Sequence, residues 1–109
     1  MKEQKREHFR VSYPRKCRPS LALGGKEYGV IDVSERGIRF GGVDPATFVV
    51  GQPVSFTLRF VDGDTQELSG KIVRVRGRAV AIRLTDAIPL KKIRSEEMFV
   101  IKNFPLFRP

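Results

Sequence analysis

Val54, Phe56, Leu58 and Phe60 alternate with Ser55, Thr57 and Arg59. Successive side chains on a strand point to opposite faces, so this period of two defines one buried face and one wet face. The pattern recurs. Leu21 to Leu23 follows Pro19 and ends at Gly24-Gly25, and the stretch from Lys26 to Val33 carries Tyr28, Val30 and Ile31. Ile38 to Phe40 closes at Gly41-Gly42, and Leu68 to Arg76 follows a turn signal at Asp62-Gly63-Asp64. Gly77 then opens a tight turn into Val80, Ile82 and Leu84. About six short strands at near-regular spacing, joined by glycine-rich turns, predict a small antiparallel barrel or sandwich. With 109 residues and 40% hydrophobic side chains, the chain supports one such domain and one modest core.

One strand departs from simple alternation. Leu68, Gly70 and Ile72 share one parity, whereas Val73 and Val75 share the other. A phase change of this kind requires a bulge or a bend, and Gly70 is the candidate for it. After the strands the period changes. Asp86 is a candidate cap with Pro89 in the first turn of a helix. Leu90, Ile93, Met98 and Ile101 form an imperfect helical stripe, and Ser95-Glu96-Glu97 could start a second helix. The expectation is one C-terminal helix, whole or broken, packed on the barrel. Met98-Phe99-Val100-Ile101 suits either that packing or a dimer contact, which leaves monomer and homodimer both open.

Several classes are excluded or disfavoured. One Cys makes no internal disulfide, and one His with that Cys falls short of a zinc ligand set. His8 reads as a loop residue and Cys17 as a strand residue. No apolar run approaches the ~18 residues of a membrane-spanning helix. Met1 to Arg6 is charged with no apolar stretch behind it, unlike a signal peptide, so a cytoplasmic protein is expected. No catalytic constellation is visible, and the expectation is a binding module, not an enzyme.

The formal charge is +9, and its distribution is uneven. Residues 1–18 hold seven basic and two acidic side chains, residues 19–87 nine and eight, and residues 88–109 five and two. The middle is nearly neutral, so an anionic partner is expected at the N-terminal end rather than along a basic surface. That segment also carries Phe9, Val11 and Tyr13, which favour packing on the domain, with Phe9 as a buried anchor.

Two short motifs stand out. Arg6-Glu7-His8-Phe9-Arg10 is an R-x-x-x-R just before the first strand, and Asp32-Val33-Ser34-Glu35-Arg36-Gly37 is a D-x-S-x-x-G at a strand end. Taken singly, Arg6 and Arg10 read as solvated cations or partners of Glu3 and Glu7. Asp32 to Gly37 reads as an Asx-type turn. Their order, their spacing and the strands downstream reverse those readings jointly. In this combination the sequence resembles the PilZ domain family, bacterial receptors for the second messenger cyclic di-GMP, from about Lys5 to Leu84. The resemblance implies an all-β fold, a six-stranded antiparallel β-barrel with a C-terminal α-helix. On this reading residues 1–14 are an arginine-bearing N-terminal loop, 15–85 the barrel and 86–104 the helical segment. It further implies cyclic di-GMP clasped by Lys5, Arg6, Arg10, Asp32, Ser34 and Gly37, with no cofactor or metal. Lys5 stands where the family often has a further arginine, and it keeps the charge without the planar fork. Both one cyclic di-GMP and a stacked pair are open.

The residue chemistry is consistent with that ligand. A guanidinium forks onto guanine O6 and N7 or onto phosphate oxygens. Asp32 and Ser34, two apart on a strand, share a face. A carboxylate there accepts from the guanine N1–H and N2–H₂ edge, which adenine lacks. Gly37 suits a turn with positive φ or a place where a ligand crowds the backbone. Lys2 to Arg10 is expected to be mobile without ligand and ordered by it, presenting a reshaped face to a protein partner. Two alternatives are a ligand-independent PilZ-like interaction module and a barrel binding single-stranded nucleic acid. The absence of Trp and the near-neutral barrel weigh against the latter.

Overall fold

The structure is a computed structural model that describes residues 9–108. Lys5, Arg6 and His8 lie outside the described residues, as does most of the segment expected to be ordered by ligand. The elements run β1 (Arg10–Ser12), β2 (Ser20–Leu23), β3 (Lys26–Ser34), β4 (Gly37–Phe40), β5 (Pro53–Arg59), β6 (Thr65–Arg76), β7 (Ala79–Leu84) and α1 (Leu90–Asn103). Six strands close into an antiparallel barrel in the order β3-β2-β5-β6-β7-β4, with β4 pairing back to β3. Closure leaves few free edges for aggregation.

The seventh strand is the short β1. It pairs Arg10 with Ser34, Val11 with Val33 and Ser12 with Asp32. It therefore continues the side of β3 whose first half, Lys26 to Gly29, is taken by β2. Part of the segment read from sequence as a loop is thus extended and paired. The cause is the apolar side chains in it. Val11 and Tyr13 are buried, and Phe9 packs against the core beneath the Arg94 guanidinium, 5.9 Å from its ring centre.

The period-two segment behaves as its pattern requires, with Val54, Phe56, Leu58 and Phe60 all buried. Phe40, Phe48 and Tyr28 meet in tilted and edge-to-face contacts with centroids 5.2–6.2 Å apart, geometries that suit the ring quadrupole. The phase change in β6 is a bulge, but it falls at Val73, between the Ile72–Ile82 and Arg74–Ala81 pairs, rather than at Gly70. Gly70 has a different duty. It faces inward where β6 presses on the end of β7, and a Cβ there would lie inside contact distance of the Arg83 carbonyl oxygen. Cys17 is in the turn after β1 rather than in a strand, its N–H on the Pro14 carbonyl. Burial pushes its thiol up, away from the reactive thiolate.

The C-terminal segment is a single unbroken helix. Pro89 is its N-cap, non-helical at ψ 139°, and its carbonyl accepts from Lys92 and Ile93 N–H. Asp86 lies upstream and caps nothing, and Ser95-Glu96-Glu97 is mid-helix. The inward face is Ile93, Glu96 and Val100, while Leu90, Met98 and Ile101 are exposed. Sequence periodicity misplaces the face because its central residue is a carboxylate. Glu96 is fully buried. Its Oε1 accepts from the Tyr13 hydroxyl at 2.7 Å and from Val61 N–H at 3.3 Å, while Oε2 is buried without a hydrogen-bond partner among the described residues. Glu96 thereby joins α1 to the residue following β1 and to the β5–β6 turn.

Burial raises the Glu96 carboxyl above its ordinary value, against the lowering effect of the Tyr13 and Val61 bonds. A folded state that holds this proton more tightly than the unfolded chain loses stability as pH rises from about 4.5 through the raised value. Glu96→Gln keeps the acceptor for Tyr13 and abolishes the buried charge. We expect urea unfolding to show this variant about 1 kcal/mol more stable than the parent at pH 7, with the advantage gone near pH 4.5. An equal difference at both pH values would show that Glu96 is not the titrating group.

Candidate ligand site on the outer barrel wall

Strand register builds the site in two rows. Directly paired residues on neighbouring strands project to the same side of a sheet. One row runs Arg10, Ser34, Gly37, Arg83 across β1, β3, β4 and β7. The next runs Ser12, Asp32, Arg39, Ala81, Arg74 across β1, β3, β4, β7 and β6. Arg10, Arg39, Arg74 and Arg83 are exposed on this outer wall. Ser34, Gly37 and Ala81 are small, so the wall dips between the arginines. The depression is a cavity of about 420 Å³, lined by these residues together with Arg36, Ile38, Val73 and Ile82.

Two bulges set the second row. Register shifts in β3 between Val30 and Asp32, so Val30 and Val33 both face the core and Asp32 and Ser34 both face out. Without that extra residue Asp32 would share the inward parity of Val30. The β6 bulge at Val73 does the same for Arg74, which would otherwise follow Ile72 inward. Re-aiming a side chain is a common use of a bulge beside a functional site.

Asp32 is 5% exposed, and Arg39 grips one of its oxygens: Nε donates to Oδ2 at 3.0 Å and Nη2 donates to it at 2.7 Å. Oδ1 has no partner among the described residues, so the carboxylate is oriented and retains acceptor capacity. Ser34 Oγ donates to the Gly37 carbonyl at a long 3.4 Å. The β3–β4 turn is held from outside, since the Glu35 carbonyl accepts from Ile88 N–H and the Arg36 carbonyl from Leu84 N–H. Gly37 is not in the left-handed region expected as one option. It opens β4 as the pairing partner of Ser34, and a Cβ there would meet Ser34 Oγ at 3.4 Å, an ordinary contact. Its role in the wall is to leave the floor open.

Of the residues singled out from sequence, Arg10, Asp32, Ser34 and Gly37 meet at this cavity. Arg39, Arg74 and Arg83 belong to neither motif and escape sequence reasoning. Arg39, between Ile38 and Phe40, and Arg83, between Ile82 and Leu84, occupy outward parities, a legible signal for a wet face, whereas Arg74 shares the parity of Ile72 and is turned out only by the bulge. Their adjacency is not legible without the barrel's closure. The consequence is electrostatic: five arginines, Arg10, Arg36, Arg39, Arg74 and Arg83, line the cavity, and Asp32 is the one acidic residue among the described residues that line it. A near-neutral stretch of sequence thus folds into a strongly cationic depression, suited to a compact polyanion.

The family model for the PilZ domain matches residues 4–97. Among solved structures, an uncharacterised Legionella protein is similar at 11% identity and a TM-score of 0.55, over 86% of this chain and 91% of that one. The Bacillus subtilis inhibitor of motility (MotI/DgrA) is similar at 14% identity and a TM-score of 0.58, over 98% of this chain and 55% of that one. This chain therefore spans about half of the Bacillus protein, and at these identities the likeness is one of fold. No curated protein matches.

Proposed function

Because the chain belongs to the PilZ domain family, whose members are generally non-catalytic receptor or adaptor domains, we propose that it binds cyclic di-GMP in the outer-wall cavity. On this reading it acts as a ligand-switched adaptor for a protein partner. The observation that carries the proposal is the meeting of the two motifs: Arg10 stands directly across from Ser34, one row from Asp32. The oriented Asp32 carboxylate accepts from the guanine N1–H and N2–H₂ edge through its free oxygen. Arg10 forks onto O6 and N7 or onto a phosphate. Gly37 and Ser34 form the floor, where bulk would exclude the ligand. We assign Lys5 and Arg6, just before β1, to the phosphates as well.

The switch follows from the position of β1. Its outward Arg10 touches the cavity, and inward Val11 and the following Tyr13 touch the core and Glu96 of α1. Ligand held by Arg10 would be felt at α1. A nucleic-acid reading gains no support, because no aromatic ring lines the cavity among the described residues to stack on bases. Isothermal calorimetry with cyclic di-GMP tests the proposal. We expect saturable binding at tens of micromolar ligand or below, and no binding in that range would overturn it.

A further inference from the structure

The two motifs account for only one side of the cavity. The opposite side, on β6 and β7, carries Arg74 and Arg83. We propose that these two arginines form a second phosphate-binding subsite, outside either motif, that grips the far end of a ligand lying across Gly37 and Ala81. Three observations converge on it.

The first is register. The row that begins at Arg10 runs through Arg83 and on to Lys71 of β6, and Arg74 closes the row that contains Asp32. In the first row only Gly37 lies between Ser34 and Arg83; in the second, Arg39, held on Asp32, and Ala81 lie between Asp32 and Arg74. With strands ~4.8 Å apart, β3 to β6 spans roughly 14 Å along the wall, a reach for an extended ligand and not for a single small anion. The second is the pair of bulges. The bulge in β3 turns Asp32 outward and the bulge in β6 turns Arg74 outward, and both act on the same row. The β6 bulge turns Val75 toward the core, opposite Val80, and in the same shift aims Arg74 at a cavity already rich in arginine. The third is charge. Among the described residues neither Arg74 nor Arg83 has a carboxylate within 4.0 Å, whereas Arg39 is occupied by Asp32. Guanidinium groups gathered with so little counter-charge repel one another until an anion joins them.

The inference rests on the ligand reading above, and the experiment separates the two. Cyclic di-GMP is titrated by calorimetry into the parent, into Arg74→Ala/Arg83→Ala, and into Arg59→Ala, an exposed β5 cation outside the cavity. In parallel, inorganic pyrophosphate is titrated into ¹⁵N-labelled parent protein, following the Arg74 and Arg83 amide and side-chain Nε resonances. We expect the double variant to bind cyclic di-GMP at least about ten-fold more weakly, with a shallower salt dependence. Arg59→Ala should stay within about two-fold, and pyrophosphate should shift the Arg74 and Arg83 signals. A double variant within two-fold of a parent that binds normally would overturn the subsite and leave the ligand reading intact. If the parent binds no cyclic di-GMP, the ligand reading falls, and pyrophosphate decides the subsite: shifts at Arg74 and Arg83 sustain it, and their absence ends it.

Discussion

Gly70→Ala is expected to lower the thermal midpoint by roughly 12–24 °C, or to prevent folding, whereas Gly37→Ala should change it by no more than about 3 °C. The added methyl at Gly70 would lie inside contact distance of the Arg83 carbonyl oxygen and 2.8 Å from Ile82 Cγ2. Its nearest neighbour is backbone, which cannot rotate away as a flexible side chain would. The strands must part where β6 meets β7, in a core with little free space. Overpacking of this kind costs on the order of 3 kcal/mol, and a domain near this size loses about 4–8 °C per kcal/mol. Gly37 has no such neighbour: its nearest contacts would be Ser34 Oγ at 3.4 Å and the Ile82 carbonyl at 3.6 Å. Its methyl would enter the cavity, so the effect falls on ligand and not on fold. Differential scanning calorimetry of both variants checks the contrast. Equal midpoints for Gly70→Ala and the parent would mean that the strands are farther apart than the structure places them.

Asp32→Ala should weaken cyclic di-GMP binding by about 100-fold or more. Two donors of the guanine edge lose a charged acceptor, at about 1.5–3 kcal/mol for each charge-assisted bond. A loss near 3 kcal/mol corresponds to roughly 100-fold in affinity. The same substitution should reduce the preference for guanine over adenine, because the acceptor for the N1–H and N2–H₂ edge is lost and only an Arg10 fork on O6 and N7 would still discriminate. The fold should barely respond. The Arg39 side chain released by the change is 48% exposed and can turn to water, and such partly exposed pairs contribute little to stability. Calorimetry with cyclic di-GMP and cyclic di-AMP, beside a melting curve, reads all three effects. An Asp32→Ala protein that binds cyclic di-GMP as the parent does would remove Asp32 from the guanine edge.

Much of the barrel is legible in the amino-acid sequence, and the exceptions have physical causes. Alternation locates the buried face of β5 because that strand is regular along its whole length. In β6 the alternation signals a break but not its place. Gly70 is the natural candidate because glycine permits bends, yet here it is needed for closeness. The bulge belongs to Val73, a residue with no local preference for it. In α1 the charged Glu96 reads as wet, because a carboxylate is seldom buried. Its bonds from Tyr13 and Val61, 83 and 35 residues away in sequence, make that burial possible. Periodicity along the chain carries no information about partners at that separation.

The charge distribution shows the same division. From sequence alone, the basic excess of the N-terminal segment points to an anion held beside the D-x-S-x-x-G turn, and Arg10 does stand there. What the sequence by itself determined is local: which residues face inward, where the chain turns, and that Arg10, Asp32, Ser34 and Gly37 belong to two short motifs. Tertiary structure alone decided that Arg39, Arg74 and Arg83 join them. Closing six strands into a barrel brings β4, β7 and β6 beside β3, and two bulges turn Asp32 and Arg74 to the same wall. Charges that cancel along the chain do not cancel in space, because electrostatic interaction depends on distance through the fold and not on separation in sequence.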